Sequence, residues 1–284
     1  MKNSRTKIIF LGTGTPNPDP EHLGASLVIL VDEKPYLVDF GAGLVRQAAR
    51  LTRRYGGAYP ALEARNFKTA FLTHLHSDHT VGYADLILTP WVMERDAPLE
   101  VYGPEGTKKM TEHILKAYED DIHYRLYGLE PANNQGWRVN AREIAEGLIY
   151  KDELVKVEAF LVKHGTWHNA FGFRFTTPDK VIVISGDTMP CDNILKYAKD
   201  ADVLIHEVYS QAGFEKKDSF WKNYHAINHT STIQLAEIAK QTRPELLILY
   251  HVLYWGHTDQ DILAEIAHRY DGKTIVSKDL MVIE

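Results

Sequence analysis

The sequence contains a single cysteine, Cys191, among its 284 residues. One thiol excludes both a disulfide framework and a cage of thiolate metal ligands within the chain. The sequence also has no run of 18 apolar residues, so no membrane-spanning helix and no membrane partner are predicted. Because residues 1–5 lead directly into a predicted strand without an apolar leader, we expect a cytoplasmic protein. A removed signal peptide is the open alternative.

The sequence also has fewer basic than acidic residues. The chain carries 32 lysines and arginines against 38 acidic residues, which gives a net charge of −6. A protein that holds a long nucleic acid usually has a concentrated basic region. The arginine cluster of this sequence has helical spacing and is interpreted as a solvated helix face: Arg46, Arg50, Arg53 and Arg54. The composition therefore disfavours RNA as a partner.

Alternating strand and helix patterns occupy most of the chain. With 44% hydrophobic residues, 284 residues are enough for one large core. Predicted strands dominate residues 7–39, helices and strands alternate over 44–118, and this order repeats over 154–270. Residues 119–146 are predicted to be polar and irregular. We therefore expect an α/β fold in which residues 1–284 form a single layered domain of two similar halves.

The most informative segment is residues 73–80, where three histidines and an aspartate occur within six positions: His74, His76, Asp78 and His79. They follow a short apolar run, residues 69–72, that is typical of a buried strand. Imidazoles two residues apart on an extended or turning backbone can converge on one cation. Imidazole nitrogen and carboxylate oxygen are ligands that zinc and similar metals accept. The spacing therefore predicts a metal site.

Later apolar runs also end in histidine or acidic residues: His164, Asp187, His206 with Glu207, and His251. A rigid sheet can hold ligands along one rim at its strand ends, while the following loops shape the pocket. Each strand end alone is weak evidence, but together with residues 73–80 they predict one constellation of ligands.

The sequence resembles the metallo-β-lactamase superfamily, and within it the branch of ribonuclease Z and its arylsulfatase-like and phosphodiesterase-like relatives. The resemblance extends over nearly the whole chain. Its motifs are residues 11–16 (LGTGTP), 38–43 (VDFGAG), 74–79 (HLHSDH), 164–165 (HG), 185–188 (SGDT), 206–207 (HE), 229–231 (HTS) and 251 (H). The resemblance implies a four-layer αββα sandwich with a dinuclear metal centre at the edge of the two sheets.

The resemblance also implies which residues bind metal. The ligands fall into three groups: His74, His76 and His164 for one ion, Asp78, His79 and His251 for the other, and Asp187 as the bridge between them. Asp39 would orient a ligand histidine from outside the ligand set. We expect two divalent ions, zinc first, with manganese or iron as alternatives because nitrogen and oxygen ligands discriminate poorly among them.

Such a centre indicates hydrolysis. Two metal ions about 3.5–4 Å apart can hold a bridging hydroxide, since coordination lowers the pKa of water to about 7. That hydroxide would attack phosphorus or a carbonyl carbon, with Asp78 orienting it or accepting its proton. In ribonuclease Z-like enzymes a histidine and a glutamate supply a proton donor and its partner, and these roles carry over to His229 and Glu207. We expect His229 to begin a helix and His206 to be a structural neighbour of the pair.

The substrate is where the sequence departs from ribonuclease Z. The short form of that enzyme carries a glycine-rich, basic arm that grips transfer RNA between its third and fourth motifs. Here residues 171–180 lead directly to the 185–188 motif, which leaves no room for an arm. We therefore predict a metal-dependent hydrolase of a small phosphodiester or related ester, with an aryl group favoured. The alternatives are a ribonuclease Z-type endonuclease for transfer-RNA 3′ processing and promiscuous β-lactam or lactone hydrolysis.

Three further expectations are open at this point. Trp167 and Trp255 are candidates for an aromatic wall against a planar leaving group. A homodimer is an open alternative because many relatives are dimers. A non-catalytic protein that keeps metal only for structure is disfavoured, because a structural site is closed and does not need His229 and Glu207 beside it.

Overall fold

A computed structural model describes residues 4–130 and 132–284. Residues 1–3, in the predicted lead into the first strand, and residue 131, in the predicted irregular stretch, lie outside the described residues. The chain divides into two compact units, unit 1 (Met1–Ile144 with Lys278–Glu284) and unit 2 (Ala145–Ser277). Each unit contains one seven-stranded sheet. That residues 1–284 act as a single domain stays a prediction.

The sheet of unit 1 combines an antiparallel part with a parallel part. Its strands are β1 (Thr6–Gly12), β2 (Ser26–Val31), β3 (Lys34–Val38), β4 (Thr69–Phe71), β5 (Leu99–Gly103), β6 (Val139–Glu143) and β14 (Val282–Ile283). They lie in the order β14-β1-β2-β3-β4-β5-β6. Pairing is antiparallel from β14 to β3 and parallel from β3 to β6. Strands β2 and β3 form an antiparallel hairpin within residues 7–39, where strands are predicted.

The sheet of unit 2 has the same plan. Its strands are β7 (Gly147–Lys151), β8 (Lys156–His164), β9 (Trp167–Thr176), β10 (Val181–Ile184), β11 (Val203–Tyr209), β12 (Leu246–Leu253) and β13 (Thr274–Val276). Pairing is antiparallel from β7 to β10 and parallel from β10 to β13. Both sheets therefore place three antiparallel pairings before three parallel ones, which confirms the prediction of two similar halves.

Helices flank both sheets. In unit 1 they are α1 (Leu44–Arg50), α2 (Ser77–Thr80), α3 (Tyr83–Val92), α4 (Thr107–Ala117) and α5 (Glu119–Tyr127). In unit 2 they are α6 (Asp192–Ala198), α7 (Gln211–Glu215), α8 (Ser219–Asn228), α9 (Thr232–Thr242) and α10 (Asp259–Ala267). The apolar faces of α1 and α3 share one buried cluster with β1 to β3, and those of α6, α9 and α10 share another with β8 to β12. Across the part of the chain that the structure describes, no helix is both long and apolar enough to cross a membrane.

The prediction of an irregular stretch over residues 119–146 is wrong. Helix α5 and strand β6 lie within it. The first turn of α5 carries three acidic residues, which the partial positive charge of a helix N-terminus stabilises, and Arg125 pairs with Asp121 at 3.0 Å one turn away. Strand β6 is largely solvent-exposed and polar. Neither element shows the apolar periodicity on which the prediction depended.

The expected start of a helix at His229 is also wrong. Helix α8 ends at Asn228, and His229 is the extended residue that follows it. Helix α9 begins at Thr232, where Ser231 accepts from the backbone N–H of Gln234 and the Gln234 side chain accepts from the backbone of Ser231. His229 therefore lies in the short link between two helices, fixed from both sides.

Candidate metal centre

In unit 1 the histidine segment begins just after β4 and continues into α2. The His74 Nε2 atom lies 3.0 Å from Nδ1 of His76. The ring of His79 lies 4.3 Å from the ring of His74, and its Nε2 atom lies 3.6 Å from the Asp78 carboxylate. His74 and His79 are buried. The local turn from strand to helix thus brings the four predicted ligands of this unit together.

Asp39 fixes the orientation of His79 and of the backbone at Thr73. It follows β3 in the left-handed region, with φ 62°, and its side chain is buried. Its carboxylate accepts from the Thr73 backbone N–H at 2.8 Å and from Nδ1 of His79 at 2.8 Å. Because Nδ1 of His79 donates to Asp39, the lone pair of that imidazole is on Nε2. This is the geometry that the expected orienting role requires.

The glycine-rich loop after β1 is held by Asp279, a residue that sequence reasoning missed. The Asp279 carboxylate accepts from the backbone N–H and the hydroxyl of Thr13, at 2.9 and 2.8 Å. It also accepts from the backbone N–H of Leu23 and the amide of Gln47, at 2.8 and 3.1 Å. Asp279 is 266 positions from Thr13 in the chain, and no local pattern signals such a partnership.

In unit 2 the remaining predicted residues lie near the carboxyl ends of adjacent strands and are all buried: His164, Asp187, Glu207, His229 and His251. One carboxylate oxygen of Asp187 lies 3.7 Å from Nδ1 of His251, and the other lies 4.0 Å from Nδ1 of His229. A ligand atom of His164 lies within 4.8 Å of one from Asp187. The rings of His164 and His229 are 5.2 Å apart. The five residues therefore form a second cluster.

His164 is oriented in the same way as His79. Its Nδ1 atom donates to the backbone carbonyl of Asn228 at 2.8 Å. That carbonyl belongs to the last turn of α8, where helix carbonyls lack a donor from within the helix. The lone pair of His164 is therefore on Nε2, the tautomer that a metal ligand needs.

Irregular backbone conformations set the directions of two of these side chains, His251 and Asp187. The β11–β12 register pairs Tyr250 with Glu207 and Val252 with Val208, so His251 is an extra residue in a bulge. Its φ is 49°, in the left-handed region. A bulge turns a side chain away from the regular alternation of a strand. Gly186, with φ 60°, turns the chain at the position before Asp187.

Glu207 and His229 form the pair that the resemblance implies. One Glu207 oxygen accepts from the backbone N–H groups of Thr230 and Thr188, at 2.9 and 3.3 Å. The other lies 3.5 Å from Nδ1 of His229. Burial raises the pKa of Glu207 well above its ordinary value, and the negative charge of Asp187 raises it further. The roles of the pair stay predictions.

His206 and His225 are buried neighbours of this pair. Nδ1 of His206 donates to the Glu207 carbonyl at 2.6 Å, and burial lowers its pKa to about 4. His225 belongs to none of the sequence motifs that predict the site. Its ring lies 5.8 Å from that of His229 and 4.5 Å from that of Trp255. Burial lowers the pKa of His225 to about 4, helped by His229 and Lys217. Its position one helical turn before His229 is the signal that could have found it.

The two tryptophans predicted as a wall have different surroundings. Trp255 packs between His225 and Tyr209, whose ring centroid lies 5.3 Å away. Trp167 pairs with His164 across β8 and β9 and packs partly buried against the core of unit 2. Trp255 thus has a direct ring contact with His225, a neighbour of His229.

The donor set of both clusters suits divalent metal ions. Zinc and its neighbours bind neutral imidazole and carboxylate, and a ligating imidazole commonly donates its other N–H to an oxygen. His79 and His164 meet that requirement through Asp39 and Asn228. The residues present therefore fit divalent metal binding, while nitrogen and oxygen donors leave the choice of metal open.

Comparison with known proteins identifies relatives over most of the chain. The family described as "Beta-lactamase superfamily domain" matches residues 35–252. Ribonuclease Z of Mycolicibacterium gilvum (strain PYR-GCK) is 30% identical over 280 residues, covering 96% of this chain and 94% of that protein. The metallo-β-lactamase fold protein YhfI from Bacillus subtilis superposes with a TM-score of 0.75 at 14% identity, covering 99% of both chains. Human tRNase Z, short form, superposes with a TM-score of 0.72 at 23% identity, covering 98% of both.

Two mixed sheets flanked by helices match the αββα metallo-β-lactamase fold of two similar halves. Together with the histidine and aspartate clusters, this fold defines the class, a metal-dependent hydrolase. The chain belongs to the β-lactamase superfamily and, within it, to the ribonuclease Z-like branch.

Proposed function

We propose that this protein is a dinuclear metal-dependent phosphodiesterase that cleaves precursor RNA in the manner of ribonuclease Z. The observation that carries the proposal is the buried Glu207–His229 pair beside the Asp187 carboxylate, on a chain related to ribonuclease Z over 94% of that protein's length. This revises the expectation that RNA is disfavoured. That expectation depends on the missing arm and on the net charge of −6, and the net charge says nothing about the charge of a local surface.

The ligand groups that we propose are those implied by the resemblance: His74, His76 and His164 for one ion, Asp78, His79 and His251 for the other, and Asp187 as the bridge. Support comes from the family membership and from the oxygen acceptors that hold the second nitrogen of His79 and of His164. Zinc is the proposed metal, with manganese and iron as alternatives. Residues 1–284 would then act as one functional domain, and a cytoplasmic location and a homodimer stay predictions.

When bound, such ions supply an ionised water near neutral pH and neutralise charge on the phosphate oxygens. The residues of the chain supply orientation and a proton. Nδ1 of His229 faces the carboxylates of Glu207 and Asp187, which leaves Nε2 to act on the substrate. As the bond between phosphorus and the leaving oxygen breaks, His229 would give its proton to that oxygen. Asp78 would orient the attacking water or take its proton.

Hydrolysis of a small phosphodiester is the second candidate, and one observation favours it. Strands β9 and β10 are joined by residues 177–180, where the Thr177 N–H donates to the Lys180 carbonyl at 2.9 Å. A tight turn therefore occupies the interval in which ribonuclease Z of the short form carries its arm. A small or aryl diester would need no arm.

The test is a paired assay on one metal-analysed preparation, with bis(p-nitrophenyl) phosphate and a precursor transfer RNA that carries a 3′ trailer. The proposal predicts turnover of both, with the RNA cut on the 3′ side. Asp187→Ala should lose bound metal and both activities, while Asp271→Ala, a change at an exposed residue paired with Arg243, should lose neither. Turnover of the small diester without RNA cleavage would overturn the RNA proposal in favour of the second candidate.

A further inference from the structure

Helix α8 exposes an apolar face beside the proposed catalytic pair. Phe220, Trp221, Tyr224 and Ile227, here called the α8 aromatic face, recur at helical spacing. The exposed fractions are 68% for Phe220, 46% for Trp221 and 52% for Ile227. Contiguous exposed apolar surface on a folded chain commonly marks an interaction site.

The opposite side of α8 is firmly anchored, so the exposed face is held in a fixed position. Asp218 caps the helix by accepting from the Trp221 backbone N–H at 3.0 Å. His225 and Asn228 are buried, and the Asn228 carbonyl accepts from His164 at 2.8 Å. The last turn of the helix is therefore tied to a proposed metal ligand.

The aromatic surface continues inward to the proposed catalytic histidine through a series of rings. The Trp221 ring stacks on that of His225 with 5.7 Å between centroids and 26° between planes. The His225 ring in turn lies 5.8 Å from the His229 ring. A planar group bound on Trp221 would thus sit two rings from His229. This continuity favours a substrate as the occupant over an unrelated partner.

Two lysines lie just before α8 in the sequence, and one of them contacts Trp255, whose ring packs against that of His225. Lys217 places its ammonium 4.1 Å from the centroid of the Trp255 ring, and Lys216 lies 3.4 Å from Nε2 of His257. Lys222 lies within α8 itself. The acidic residues of this stretch are engaged locally, since Asp218 caps α8 and Glu215 accepts from Gln211. Cations beside stackable rings are the combination with which proteins bind single-stranded nucleic acid.

We propose that the α8 aromatic face, together with Lys216 and Lys217, binds unpaired nucleotides of the RNA substrate next to the scissile phosphate. Bases stack on the rings of Phe220 and Trp221, and the lysines neutralise the phosphates between them. The face would supply RNA binding that the missing arm does not. The inference rests on the proposed RNA substrate, but it concerns binding and can be measured apart from cleavage.

The test combines a binding titration with kinetics. A fluorescently labelled single-stranded RNA of ten nucleotides is titrated into the metal-loaded wild-type protein and into Trp221→Ala. We expect Trp221→Ala to weaken binding about tenfold and to raise KM for precursor RNA by a similar factor, with kcat within about twofold. Lys217→Gln should lower the slope of log K against log salt by about 0.7. Tyr127→Ala, which removes a 75% exposed tyrosine of α5, is the matched control and should bind RNA like the wild type.

The outcomes separate this inference from the proposed function. Wild-type RNA cleavage with unchanged binding in Trp221→Ala overturns the inference and leaves the function standing. RNA binding that depends on Trp221 without RNA cleavage supports single-stranded RNA binding by the α8 aromatic face but overturns the proposed function, and with it the placement of that RNA next to a scissile phosphate. Dissociation of a dimer by Trp221→Ala, measured by light scattering, with RNA affinity unchanged would assign the face to a second copy of the chain and overturn the inference.

Discussion

At the scale of single residues, the account depends on imidazole rings whose two nitrogens have different partners. His79 and His164 each donate from Nδ1 to an oxygen, which leaves the lone pair of each ring on Nε2, the atom with which each would bind a metal ion. His229 instead turns Nδ1 toward Glu207 and Asp187. The proposed roles, metal ligand for His79 and His164 and proton donor for His229, thus follow from the acceptor beside each ring.

Replacing His229 with alanine tests the proton-donor role. We expect metal content to stay at the wild-type level and kcat for phosphodiester hydrolysis to fall about 10²–10⁴-fold, because the leaving oxygen loses its proton donor. Metal analysis of the purified variant and its turnover of bis(p-nitrophenyl) phosphate provide the two readouts. Full activity would remove His229 from the mechanism, and loss of metal would make it a ligand.

Asp39→Asn tests orientation of a ligand from outside the ligand set. The amide would keep the size of the side chain but lose the charge that holds Nδ1 of His79 in place. We expect metal affinity to weaken about 10–100-fold with the fold intact. Metal titration with a competing chelator measures the affinity, and Asp32→Asn at the exposed β2–β3 turn is the control. Unchanged affinity would show that Asp39 only supports the backbone of Thr73.

At the scale of elements, α3 contains a proline that a buried arginine compensates. Pro90 has no N–H, so it cannot donate to the Leu86 carbonyl one turn earlier. Nη1 of Arg95 donates to that carbonyl at 3.0 Å, and the guanidinium makes four further bonds to the carbonyls of Phe67, Ile87 and Gly136. Arg95 is completely buried. It therefore ties the end of α3 to two loops.

We predict that Arg95→Met destabilises the protein by about 3 kcal/mol or more, because it leaves several buried carbonyls without donors. Urea denaturation followed by circular dichroism measures the free energy of unfolding. Arg65→Met removes exposed ion pairs to Glu63 and Glu94 and should change that free energy little. Equal effects of the two substitutions would contradict the role given to Arg95.

Glu265 likewise accepts hydrogen bonds from several donors, here at the beginnings of α7 and α9. Its carboxylate accepts from the hydroxyls of Ser210 and Thr232 and from the N–H groups of Gln211 and Ala212. Burial acts to raise the pKa of Glu265, but these hydrogen bonds outweigh it and hold the pKa below its ordinary value of 4.5.

A carboxyl group whose pKa is lower in the folded protein than in the unfolded chain stabilises the folded state above pH 4.5. That stabilisation is lost as the pH falls through the pKa of the group in the folded protein. We therefore expect Glu265→Gln to be less stable than the wild type from pH 7 down to pH 4.5, and the difference to shrink as the pH is lowered from 4.5 through the pKa of the folded state. Urea midpoints of both proteins across this range give the comparison. A difference that is constant with pH would show that the charge of Glu265 contributes nothing.

The sequence predicts elements where the signal is local and fails where it is not. The strand character of residues 7–39 follows from neighbouring residues, and the structure has β1, β2 and β3 there. Helix α8 carries its apolar residues outward, so its pattern does not indicate burial. The bulge at His251 depends on the register with β11, which no residue near His251 encodes.

The residues of the candidate site and its supports show the same contrast between local and distant signals. The spacing of His74, His76 and His79 makes them recognisable in the sequence, because three candidate ligands lie within six residues. Asp279 and Arg95 act through partners that are distant in sequence, 266 and up to 41 positions away. Such contacts are fixed by the tertiary fold and not by local pattern.

At the scale of the whole molecule, two units of the same plan each contribute a cluster of histidine and carboxylate side chains near the carboxyl ends of strands. Candidate ligands lie at the strand ends, and the apolar residues of the sheet faces form the core. The residues of the candidate site are therefore different from those that stabilise the fold. The dinuclear centre that we propose from the resemblance to ribonuclease Z would draw its ligands from both clusters.

The most direct test is to titrate metal-free protein with Zn²⁺ while following hydrolysis of bis(p-nitrophenyl) phosphate and measuring bound metal by mass spectrometry. The account predicts that activity reaches its maximum only when two ions are bound per chain, and that Asp187→Ala does not reach that content. Full activity in the metal-free protein, or a maximum at one ion per chain, would contradict the dinuclear centre.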